Sequence, residues 1–116
     1  MAPNELRVYR MRVIIDQIRT EDDGDWHITL RDPADSTQTL IAEIPAPACA
    51  KNALNAQRYT VARDSLRRVP RKGLAVVTGI GFWDFIHNQR GAAKNGFELH
   101  PVLTVLPIAQ GFEQRL

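Results

Sequence analysis

Apolar and polar residues alternate with a period of two along most of this chain, and the departures from that rhythm are local. Between Leu6 and Ile18, Leu6 and Val8 share one parity, Tyr9, Met11, Val13 and Ile15 share the other, and Ile14 and Ile18 return to the first. This predicts one long strand with a single parity switch, either bulged or bent across two sheets. EDDGD follows as a turn with an Asp-Gly step. In Asp25 to Asp32, Trp26, Ile28 and Leu30 alternate with His27, Thr29 and Arg31, which predicts a half-buried strand with a polar outer face. DPADST is a turn by composition, and Gln38 to Ile44 is a third strand with Leu40, Ala42 and Ile44 inward.

The period then changes. Pro45 and Pro47 end the third strand because neither has an N–H for the ladder, and Pro47 suits the first turn of a helix. Ala48 to Val69 is rich in Ala, Leu, Arg and Gln, with Leu54, Val61, Ala62, Leu66 and Val69 at helical spacing. Asn52 and Asn55 allow the helix to begin a turn later than Ala48, and Pro70 and Gly73 close it. Leu74 to Phe85 and Phe97 to Leu106 read as the fourth and fifth strands, with Gly79 and Gly81 on one face where a sheet turns a corner or another backbone comes close. The order β-β-β-α-β-β, in a single domain spanning residues 1–116, predicts an all-β fold with one helix: the five-stranded OB-fold Greek-key barrel. A small α+β sheet and an SH3-like barrel are the alternatives.

Composition narrows the class. With 116 residues, 44% hydrophobic and 24% charged, the chain can bury a core of its own. A single cysteine, Cys49, excludes an internal disulfide and a CxxC pair, and its alanine-rich surroundings predict a buried packing thiol. No window approaches the ~18 apolar residues of a membrane span, and MAPNELRVYR lacks the apolar core of a signal peptide, so no membrane partner and a cytoplasmic location are expected. The net charge of +2 is unevenly distributed: Lys51, Arg58, Arg63, Arg67, Arg68, Arg71 and Lys72 face one acid, Asp64, over one segment, while Glu21, Asp22, Asp23 and Asp25 crowd the first turn. The basic segment fits a solvated helix face, and also a phosphate-binding surface.

The chemistry-bearing residues concentrate where the last two strands meet their loop. Glu98 and His100, two apart on a strand, share a face; Asp84 and His87 enter the loop, Asn95 leaves it, and His27 lies on the second strand with Asp25 beside it. Imidazole and carboxylate together suit a divalent metal or a general acid/base pair, which gives the alternative of a metal-dependent hydrolase using His27, His87, Glu98 and His100. No HExxH or similar spacing supports it, and a polar network that fixes the loop needs no metal. No catalytic residue and no cofactor are assigned. Single-stranded nucleic acid is a second possibility, because OB barrels bind strands on their second and third strands and flanking loops. Arg31, Arg90 and Lys94 would supply cations and Trp83 and Phe85 stacking, although Trp83 and Phe82 also suit a core and the first loop is acidic. EDDGD lacks the spacing of a calcium loop.

Four stretches, DWHITLRD (Asp25 to Asp32), LIAEIPAPAC (Leu40 to Cys49), TGIGFWDFIHNQRGAAKNG (Thr78 to Gly96) and FELHPVL (Phe97 to Leu103), resemble a group of small, largely uncharacterised bacterial OB-fold proteins. The resemblance implies the barrel but no activity. It places His27, Asp32, Glu43, Pro45, Cys49, Asp84, His87, Gln89, Gly91, Asn95, Glu98, His100 and Pro101 in the group's pattern, with Asn88 and Lys94 as departures. The expectation is therefore a small binding module for single-stranded nucleic acid or a protein. Its ligand residues would be His27, Arg31, Asp84, His87, Arg90, Lys94, Asn95, Glu98 and His100.

Overall fold

The computed structural model describes residues 7–83 and 96–108. Its elements follow the predicted order: β1 (Val8–Thr20), β2 (Trp26–Arg31), β3 (Thr39–Ile44), a 3₁₀ turn (Pro47–Cys49), α1 (Ala53–Arg67), β4 (Leu74–Trp83) and β5 (Phe97–Pro107). The strands close into a barrel in the order β1-β2-β3-β5-β4, with β4 returning to β1. Every pairing is antiparallel except β3 with β5, which run parallel and share only Ile41 with Glu98 and Ala42 with Leu99. This is the OB-type barrel that the alternation and element order predict.

β1 serves both sides of the ring. Val8 to Ile14 pair with β4 and Ile14 to Thr20 with β2, and the register slips between Ile15 and Gln17. That bulge is the predicted parity switch: Tyr9, Met11, Val13 and Ile15 face inward before it, and after it Ile18 pairs with Ile28 but is itself 44% exposed. The core is built from Val13, Ile15, Ile28, Leu30, Ala42, Ile44, Val77, Leu99, Val102 and Val105, closed at one end by Ala62, Leu66 and Val69 from the helix and the turn after it.

The helix starts late because Asn52 caps it: its side-chain oxygen accepts from the Asn55 N–H at 2.8 Å. Upstream, Pro47 opens the 3₁₀ turn instead of the helix itself. Two inward expectations fail, since Leu54 and Val61 are 57% and 56% exposed. Helical spacing placed them on the stripe, but α1 turns Tyr59, Ala62 and Leu66 to the barrel instead. Cys49 is exposed, not buried, because the 3₁₀ turn that carries it buries no residue. Phe82 is also outside, at 47% exposure, whereas Trp83 turns in to meet Phe97 edge-on, ring centroids 4.8 Å apart.

The two strand glycines make room for different neighbours. A Cβ at Gly81 would stand 2.4 Å from the Tyr9 ring and 2.9 Å from that of Phe97, and one at Gly79 would stand 3.0 Å from the Pro101 carbonyl oxygen. Gly81 therefore admits an aromatic pair, Tyr9 against Phe97 at 5.0 Å, and Gly79 admits backbone. Among the described residues, no helix is long and apolar enough to cross a membrane.

Candidate functional site

Three strands deliver outward side chains to one place. His27 lies directly across from Glu43 in the β2–β3 register, and the short parallel seam sets β5 beside β3, so that His100 reaches the same carboxylate. Glu43 Oε2 pairs with His100 Nε2 and lies 3.8 Å from His27 Nε2. On its other side, His27 Nδ1 stands 3.3 Å from Glu21 Oε1 but without hydrogen-bond geometry. Asp25, at the mouth of β2, accepts the Ala46 N–H at 2.8 Å and has the Glu43 side chain beside it. Glu98 shares the outer face with His100 and is only 8% exposed. The exposed Phe82 ring lies 5.9 Å from the His100 ring.

The electrostatics follow from this crowding. The hydrogen bond from Glu43 raises the His100 pKa, assisted by the charges of Glu43, Glu98 and Asp25 and opposed by burial. Asp25 is held below the ordinary carboxylate value, first by the Glu43 side chain beside it, then by the Ala46 N–H and the charge of Arg63, again against burial. The centre of the face is thus a carboxylate between two imidazoles with further carboxylates around it.

Several of the cations that composition suggested for a phosphate partner are used inside the fold. Arg31 donates to Asp16 at 2.8 Å and to the Ser36 carbonyl, and Lys72 binds the other Asp16 oxygen, so these contacts tie β1, β2 and the segment before β4 together. They pull Asp16 down to about 2. Arg63 donates to the carbonyls of Gly24 at 2.6 Å and Ile44 at 3.1 Å while lying 4.5 Å from the Trp26 ring centre, with Arg67 at 4.9 Å from the same ring. Arg67 also pairs with Asp64. Half of the basic helix is therefore the fastening between helix and barrel.

Of the nine predicted ligand residues, the structure brings His27, Glu98 and His100 onto one face and places Arg31 on the same strand but bound to Asp16. Asp84, His87, Arg90, Lys94 and Asn95 lie outside the described residues. Sequence reasoning left out Glu43, the group to which both described histidines turn. Its outward parity was readable from Leu40, Ala42 and Ile44, but its meeting with His100 depends on a parallel seam that no local pattern encodes. Among the described residues, no group of three or more His, Cys, Asp or Glu side chains is placed to hold a metal ion. Comparison with protein families, curated proteins and solved structures gave no match.

Proposed function

We propose that this chain is a small OB-barrel binding module whose working surface is the outer face of β2, β3 and β5, and that it receives a cationic segment of a protein partner. The observation that carries this reading is Glu43 between His27 and His100, with Asp25, Glu21 and Glu98 around them. A lysine or arginine brought to this face would compete with His100 for Glu43 through a charge-assisted hydrogen bond. The groove that would stack bases in a strand-binding OB barrel is here lined with carboxylates, which repel a phosphate backbone. His27, Glu43, Glu98 and His100 all belong to the pattern of the bacterial group that the motifs resemble, which suits a shared surface of this kind.

The metal-dependent hydrolase draws less support. Its described members, His27, Glu98 and His100, share the face without the geometry of an ion site. The deciding experiment is a salt series with two labelled probes, a lysine-rich peptide and oligothymidylate. The expected result is saturable, salt-sensitive binding of the peptide that Glu43→Gln weakens severalfold, with no binding of the oligonucleotide. Oligothymidylate bound in preference, its affinity falling with salt, would overturn the reading in favour of nucleic acid.

A further inference from the structure

A second surface lies on the opposite side of the β1–β2 ladder, and it is a matter of backbone. The Gly81 N–H donates to the Arg7 carbonyl, the Ile15 N–H to the Gly73 carbonyl, and the Lys72 N–H to the Ile15 carbonyl, at 2.9 to 3.1 Å. In an antiparallel ladder these contacts fix which residues bond to β4: the odd-numbered ones from Arg7 to Ile15. The even-numbered residues turn their N–H and C=O groups the other way. Ile14 finds Arg31 of β2 there, but β2 ends at Arg31, and the chain leaves through a hairpin closed by the Asp32 N–H on the Gln38 carbonyl. Among the described residues, the ladder groups of Val8 and Arg10 on that edge have no strand beside them.

Where β2 departs, a cavity of about 360 Å³ opens against the same edge. Met11, Val13, Leu30, Leu40 and Phe97 give it an apolar floor. The charged side chains along this stretch carry one sign: Arg7 and Arg10 are exposed, and Arg7 to Ile15 contains no acid. Val8, between two of these arginines, is 62% exposed. A second copy of the chain adding by the same edge would set arginines against arginines, which disfavours self-pairing. An acidic strand has no such obstacle.

We propose that β1 accepts an extended peptide of a protein partner as an additional strand along Val8 to Arg12, continuing the sheet where β2 stops. The pleat dictates its composition: alternate side chains enter the cavity and are apolar, and the one between them that lies over Arg10 is acidic. Main-chain hydrogen bonds hold the strand, and the cavity and arginines select its sequence. This surface uses none of the groups on the β2, β3 and β5 face.

The test uses the full chain and a fluorescein-labelled, terminally blocked heptapeptide of alternating Glu and Leu, followed by fluorescence anisotropy. Two controls are the same peptide N-methylated on alternate amides, and a version with Lys for Glu. Saturable binding of the first peptide is expected, together with weak or no binding of both controls. Val8→Pro removes an N–H from the open edge and none from the β4 ladder, so it should weaken binding by about fivefold with an unchanged melting curve. Arg10→Glu should weaken it further. Isotope-edited NMR shifts on peptide addition should appear at the Val8 and Arg10 amides, a readout that serves even if Val8→Pro folds poorly. The proposal is overturned by absence of saturable binding, by equal binding of the N-methylated peptide, or by wild-type affinity in a folded Val8→Pro. It is overturned equally by sedimentation showing a dimer that the peptide does not dissociate.

Discussion

On the barrel surface, β2, β3 and β5 gather titratable outward side chains that engage one another, whereas the first half of β1 and the end of β4 present exposed apolar and cationic ones. His27, Glu43 and His100 illustrate the first sector; Val8, Arg10 and Phe82 illustrate the second. Both sectors come from strands with the same period of two. The difference lies in which strands are neighbours: the parallel seam gathers outer residues from three strands over a few ångströms, while the end of β2 at Arg31 leaves β1, among the described residues, with one neighbouring strand over its first half. A surface dense in charge is a product of convergence here, and a surface poor in contacts is a product of strand length.

The largest expected perturbation strikes both sectors together. Gly81→Val drives a side chain into Tyr9 and Phe97, which link β1 and β5 beneath the two surfaces, and should cost about 3 kcal/mol by overpacking. Urea denaturation should show a lowered midpoint. Glu43→Gln confines the damage to one sector: it removes the common partner of the two imidazoles and should cost about 2 kcal/mol in the same assay. Heptapeptide binding at the β1 edge should survive that change, and loss of binding would show that the sectors are coupled.

Asp16 stands where β1 passes from one neighbour to the other, and Asp16→Asn should cost about 1 kcal/mol, since its two cation contacts are partly screened by solvent. Because its folded pKa is lowered from 3.8 to about 2, the contribution is complete above pH 3.8 and disappears as pH falls through about 2. Acid titration of the melting temperature should lose this component in the variant. The smallest effect has the opposite sign of pH dependence. His100 has a raised folded pKa, so its contribution is complete below the ordinary value of 6.5 and is lost as pH rises through the raised one. With solvent screening it amounts to about half a kcal/mol, and His100→Gln should flatten the melting-temperature profile above neutral pH.

Strand order, the bulge in β1 and the inward faces of β2 and β3 were legible in the sequence because each is written in local parity. Leu54 and Val61 misled for the same reason: spacing states which side of a helix is apolar, not which of its residues the barrel covers. The site was half legible. His27, Glu98 and His100 follow from parity on their own strands, and Glu43 was known to face outward, but their meeting depends on a crossover between segments more than fifty residues apart. Arg31 and Arg63 were read as available charge because sequence does not reveal Asp16 or the Gly24 and Ile44 carbonyls as their partners. Phe82 lies outside and Trp83 inside because the pleat, not ring size, assigns them.

The ring is fastened by its shortest stitch. Only two ladder pairs join β3 to β5 among the described residues, and the bond between Glu43 and His100 lies next to them like a clasp over a seam. Anything that draws His100 away, whether a higher pH or an arriving cation, therefore loosens a joint whose parting would turn the closed cylinder into an open, curled sheet.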